Sequence, residues 1–143
     1  MLDDLNTTLI EALTQNARTP LNHIARQLNI SESTLRKRLQ KLEEHGIIKQ
    51  YSLVVDHAKL GYSHLALVGV DADPERFLHV STSLKKIKEA TFVASSQGDH
   101  MFMLKVLAAD TDHLQHICDS IRSIHGVTRI CPAIIKDTIK GTL

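Results

Sequence analysis

The chain has 143 residues, enough for one ordinary domain or two small ones, and its 43% hydrophobic content excludes a wholly disordered chain. Lys and Arg number 17 against 16 Asp and Glu, a formal charge of +1, so any nucleic-acid site is a local patch and not a polycationic surface. Aromatic residues are 3% with no Trp, too few for base-stacking recognition, and two cysteines make no disulfide framework. No signal peptide opens the chain and no apolar run approaches the roughly 20 residues of a membrane span. A soluble, cytoplasmic chain without membrane partners is expected.

Residues 3–50 read as three short helices. Leu5, Leu9, Ile10 and Leu13 recur at helical spacing, and Asp3 and Asp4 place acid in the first turn, where the helix dipole favours it. Asn16 to Pro20 breaks the pattern, and a second stripe follows in Leu21, Ile24, Ala25 and Leu28. Ser31 is a good N-cap for a third helix with the stripe Leu35, Leu39 and Leu42, closed by Gly46 at a C′ position.

The third helix carries the functional signal. At about 100° per residue, Ser33, Lys37 and Gln40 lie opposite the Leu stripe, flanked by Thr34, Arg36 and Lys41. Hydroxyl and cationic side chains at the start of a helix are the types that bond phosphates and base edges in a major groove. Taken alone, the basic stretch reads as a solvated face. Three helices this short, ending in the basic one, favour a helix-turn-helix over residues 1–50, winged-helix-like in outline. The expected DNA contacts are Ser31, Ser33, Thr34, Arg36, Lys37, Arg38 and Lys41, with Arg38, nearer the apolar face, mattering less for base reading.

From Ile47 the pattern changes. Ile47, Ile48, Tyr51, Leu53, Val54 and Val55 are β-prone and predict a strand leaving the helical part, with a hinge at Asp56 to Ser63 around Gly61. Residues 51–62 are thus strand and hinge. Residues 63–143 then repeat weakly. His64 to Val70 can be laid on His100 to Val106, and Ile87 to Val93 on Ile124 to Ile130. An acidic turn and a helical stretch stand between the halves of each copy. Strand, helix, strand, twice over, is the ferredoxin-like β-α-β-β-α-β pattern, and the whole chain is of the α+β class. Leu65 to Val70 is apolar in both alternating sets, and in Met101 to Val106 only Lys105 is polar. The two helices of such a unit cover one sheet face, so the other needs a second cover. Another copy of the same sheet is the simplest, and a homodimer is expected.

His113 and His116 stand three apart on a helical stretch near Asp112 and Cys118, but no second cluster at ligand spacing accompanies them, so no metal is expected. Cys118 and Cys131 read as core thiols. No phosphate loop, nucleophile elbow or zinc-binding helix motif is present, so neither a cofactor nor catalysis is expected.

In order and spacing, these segments resemble the leucine-responsive and asparagine-synthetase regulators, the Lrp/AsnC family. The resemblance runs through Leu2-Asp3, Leu9-Ile10, Asn16-Ala17-Arg18, Ile24-Ala25, and Ile30-Ser31 with Leu35-Arg36 and Arg38. It continues through Leu42 to Ile48, Asp56, Lys59 to Tyr62, Gly98-Asp99 ahead of Leu104-Lys105-Val106, and Asp110. It implies a transcription regulator that binds double-stranded promoter or operator DNA. Its carboxy-terminal domain would dimerise, and dimers often assemble into octamers. A small effector, usually an amino acid, would bind between neighbouring dimers. The turn carrying Gly98 and Asp99 is similar to the loop lining that site, so Gly98, Asp99 and His100 are the expected effector residues, with His100 able to bond the ligand itself. Two departures stand out: Asn6 replaces a usual Asp, and His100-Met101 replaces the commoner aromatic and acidic pair. Siroheme decarboxylases share the two-domain outline. They carry a basic, histidine-aromatic segment near this position, whereas Ser96 to Phe102 has a His but no Arg or Tyr.

Overall fold

The computed structural model describes residues 2–143, which divide into two compact units, one reaching Leu53 and the other running Val54–Leu143. The first holds three helices: α1 (Asp4–Gln15), α2 (Leu21–Gln27) and α3 (Glu32–Glu44). Each begins or ends where its sequence signals it. Asp3 caps α1 by accepting the Asn6 amide at 2.8 Å, Pro20 precedes α2, and Ser31 caps α3 by accepting the Thr34 amide at 3.1 Å. Asn29 turns the chain between α2 and α3 at φ 53°, a left-handed conformation that Asn tolerates better than most side chains. Leu9, Leu13, Ile24, Ala25, Leu35 and Leu42 form the buried core, with Leu39 and Ile48 packed against it. Each large side chain so buried is worth roughly 1.5–3 kcal/mol.

No strand forms over Ile47 to Val55, which corrects the expectation of one there and removes the wing. β-prone side chains form a strand only against a neighbouring ladder, and none pairs with this segment. Leu53 is left 85% exposed. The hinge expected at Asp56 to Ser63 contains a 3₁₀ turn, Ala58–Leu60, closed by Gly61 at φ 94°.

The second unit runs β1 (His64–Ala72), α4 (Phe77–Lys85), β2 (Ala90–Ser95), β3 (Phe102–Ala108), α5 (Thr111–Arg122) and β4 (Val127–Ile134). The strand order is β2-β3-β1-β4 with every neighbouring pair antiparallel, the expected ferredoxin-like sheet. Register sorts its two faces. Ala66, Val68 and Val70 pair with Val106, Leu104 and Phe102, and all six are buried under α4 and α5 against Val80, Leu84, Leu114, Ile117 and Ile121. The other face carries Leu65, Leu67, Met103 and Leu107, with Phe92 on β2 left exposed and Lys105 between them. Within this unit no helix covers that face.

Candidate functional site

Helix α3 presents its polar side chains on two unlike flanks. Thr34, Lys37, Arg38, Lys41 and His45 fall along one, lining a cleft of about 640 Å³ beside the cap of α1. Glu32, Arg36 and Glu43 lie on the other. The four cations are in three different situations. Arg36 folds back on Glu32, with Nε and Nη2 donating to Oε1 at 3.0 and 2.5 Å. Arg38 is half-buried and its Nη1 donates to Asp3 Oδ2 at 2.6 Å and Asn6 Oδ1 at 3.0 Å. Lys37 and Lys41 are exposed and form no ion pair with any described residue. Ser31, Ser33 and Thr34 are exposed at the amino-terminal end, with Ser31 Oγ 3.1 Å from Ser33 Oγ and 2.7 Å from Thr34 Oγ1. At the other end His45 Nδ1 donates to the Lys41 carbonyl at 2.7 Å, and Tyr51 donates its hydroxyl to Glu43 at 2.7 Å. Burial, and then that bond to Glu43, push the Tyr51 phenol up to about 12. The Asn6 amide, helped by Arg38, holds the Asp3 carboxyl below its ordinary value.

A second polar cluster stands where β2 turns into β3. Gly98 takes φ 123° there, a conformation that favours glycine. Asp99 is 86% exposed beside it. The His100 ring turns inward: its side chain is 17% exposed, with Nδ1 3.3 Å from Asp71 Oδ2 and Nε2 3.6 Å from Asp99 Oδ2. The ring lies against Gly69 so closely that a Cβ at that glycine would stand 2.3 Å from it. Asp71 is the hub. It also accepts the Met101 amide at 3.1 Å and Arg129 Nε at 2.6 Å, and Arg129 Nη2 donates to the Asp99 carbonyl at 3.2 Å. Arg129 holds the Asp71 carboxyl below the usual range, and Asp71 in turn raises the guanidinium.

Asp71 and Arg129 escaped the sequence reading because they are 58 residues apart and meet only through the β1–β4 register, in which they are direct partners. Asn6 was visible as a departure, but its role depends on Arg38 reaching it from another helix. Among the described residues no three His, Cys, Asp or Glu side chains gather to hold a metal. His113 has its Nδ1 accepting from the Ala109 amide at 3.1 Å and its Nε2 facing Glu89 at 3.5 Å.

A three-helix unit with a cationic third helix and a sheet unit with a polar turn define a two-part protein that reads DNA with one part and carries a ligand-binding fold in the other. Residues 2–43 match the AsnC-type helix-turn-helix domain and residues 65–142 the Lrp/AsnC ligand binding domain. The chain is 41% identical over 141 residues to the HTH-type transcriptional regulator LrpA of Pyrococcus horikoshii, covering 98% of this chain and all of the relative. It is 35% identical to LrpA1 of Halobacterium salinarum, over 92% of this chain and 94% of that one. The structure of E. coli AsnC superposes with a TM-score of 0.90 at 25% identity, covering 100% of this chain and 97% of that one. A transcriptional regulator of Neisseria meningitidis, solved as an L-Met complex, shares the fold with a TM-score of 0.91 at 22% identity, over 99% and 94% of the two chains. The chain belongs to the Lrp/AsnC family of DNA-binding transcription regulators.

Proposed function

We propose that this regulator reads a promoter or operator as a homodimer and changes its assembly or DNA affinity when an amino acid binds the turn at Gly98, Asp99 and His100. The observation that carries the dimer is the sheet face of Leu65, Leu67, Met103 and the exposed Phe92, which no helix of this unit covers. Soluble monomers rarely leave so continuous an apolar surface in water, and a second copy of the same face matches it in size and chemistry. Two such chains bring two copies of α3 to one duplex. In each, Lys37 and Lys41 are free of ion pairs with described residues, and Ser33 and Thr34 offer hydroxyls. Arg36 joins them once Glu32 releases it.

The Neisseria meningitidis neighbour was solved with L-Met, and an amino acid is the ligand class assigned here. Dimers associating further, up to an octamer, and a cytoplasmic location belong to the same reading, with no catalytic step and no cofactor. Light scattering on the purified chain, with gel shifts on genomic fragments recovered by pull-down and sequencing, tests the proposal. A dimer or larger species that shifts the recovered fragments in preference to unrelated DNA is expected. A monomer that does not discriminate among fragments overturns it. Absorbance scans with an added haem-like ligand test the decarboxylase alternative, and a specific spectral shift would favour it.

A further inference from the structure

His45 closes α3 on the flank that carries Thr34, Arg38 and Lys41, four residues and so about 6 Å along the axis beyond Lys41. It is exposed, and its ring lines the same cleft as those side chains. Its Nδ1 donates to the Lys41 carbonyl at 2.7 Å, because a carbonyl oxygen only accepts. That bond fixes the tautomer: the neutral ring keeps its proton on Nδ1 and leaves a lone pair on Nε2. Among the described residues nothing pairs with Nε2. A second proton therefore enters at Nε2 without breaking the existing bond, and the carbonyls ending α3 favour the cation it creates.

The charges around the ring oppose that cation. Lys37, Arg38 and Lys41 share its flank, and the Asp3 carboxylate of α1 in the same cleft is already taken by Arg38 at 2.6 Å. Nearby, Glu44 accepts from Gln40 and Glu43 from Tyr51. An imidazolium here stands among cations until an anion enters the cleft. Resting on the reading of this flank as the face turned to DNA, we propose that His45 is a phosphate contact that acts only when protonated. Neutral Nε2 is an acceptor and has nothing to offer a phosphate oxygen, whereas protonated Nε2 donates to one. A phosphodiester between Lys41 and His45 also offsets their mutual repulsion, so binding DNA takes up a proton. Affinity then rises as pH falls through the imidazole range.

The test is fluorescence anisotropy on the full chain with a duplex recovered by genomic pull-down. It is titrated over a range of salt at about pH 5.5 and about pH 7.5, either side of the roughly 6.5 of a free imidazole. Wild type is expected to bind about threefold or more tighter at the lower pH, with a salt slope steeper by about one unit. His45→Gln should lose both changes. His45→Arg, a cation at either pH, should show the steeper slope at both. A role in closing the helix alone would shift the unfolding midpoint of these variants and leave the response of slope to pH intact. His23→Gln, at the other histidine of residues 1–53, should keep the pH response. Circular dichroism checks each variant, and His45→Arg carries the test if His45→Gln fails to fold. A pH response absent from wild type, or undiminished in His45→Gln, overturns the proposal; if Lys37→Ala and Lys41→Ala still lose slope, the DNA face stands. If neither lysine variant loses slope at either pH, the flank does not face DNA and both readings fall.

Discussion

Arg38 of α3 and Asp3 at the head of α1 are joined at 2.6 Å across 35 residues of sequence, and the same Asp3 caps α1 through the Asn6 amide. Asn6, only 7% exposed, also accepts from Arg38. One guanidinium therefore ties the recognition helix to the start of the first helix. Arg38→Ala should lower the unfolding midpoint and leave the salt dependence of DNA binding almost unchanged, by less than about half a unit in slope. A loss of a full unit of slope without a change in midpoint would make Arg38 a phosphate contact instead.

The remaining cations divide by flank. Lys37→Ala and Lys41→Ala should each flatten the salt dependence by about one unit, because an exposed Lys with no ion-pair partner is the side chain most ready to displace a counterion. Arg36→Ala should do less, since Glu32 already offsets it at 2.5 Å. Glu32→Gln should raise affinity and steepen the slope by freeing Arg36. Equal losses at all three cations would show that the Glu32 pair opens at no cost on binding DNA.

The helices were legible because their signals are local: apolar residues three and four apart, a serine cap, a glycine stop. The order of strands was legible for the same reason. The segment from Ile47 to Val55 misled because β propensity describes what a side chain tolerates, while a strand also needs a neighbour, and none of the described residues pairs with this stretch. The turn at Gly98 was readable from its glycine. The inward ring of His100 was not, since its direction is set by the absence of a side chain at Gly69, 31 positions earlier on another strand.

The open sheet face sets a third expectation. Leu67→Asp or Met103→Asp should convert the proposed dimer to monomer or aggregate, as a carboxylate buried in an apolar contact without a partner costs several kcal/mol. Leu67 and Met103 lie off the core side of the sheet, so the circular dichroism spectrum should survive. Light scattering that still shows a full dimer for both variants would place the interface elsewhere.

Acid should loosen the turn. Arg129, first, and the Met101 amide hold the Asp71 carboxyl below its ordinary 3.8, so the folded state favours the ionised form. That contribution is present above the ordinary carboxylate value and is lost as pH falls through the lowered one. Urea midpoints of wild type and Asp71→Asn should therefore differ at pH 7 and at pH 5, and the gap should narrow progressively as pH falls below the ordinary carboxylate value of 3.8. A gap that stays constant down to pH 3 would mean that the charge on Asp71 contributes nothing.

Gly69 and His100 supply the sharpest structural test. Gly69 sits on a strand with no positive φ, so alanine there is conformationally acceptable and, through the unfolded chain, should stabilise by about 0.4–1 kcal/mol. Sterics oppose this, because the new methyl would meet three atoms of the His100 ring at 2.3 to 2.6 Å. Overpacking of that kind typically costs about 1–3 kcal/mol, so Gly69→Ala should be net destabilising. The ring would be driven from between Asp71 and Asp99, and faster amide exchange should follow at Asp99 to Met101. His100→Ala removes the obstacle, and the double variant Gly69→Ala/His100→Ala should regain most of the loss. The non-additivity of the pair in urea unfolding measures the contact directly. If the double variant is no more stable than Gly69→Ala alone, the methyl is meeting something other than the imidazole, and the inward placement of His100 is wrong.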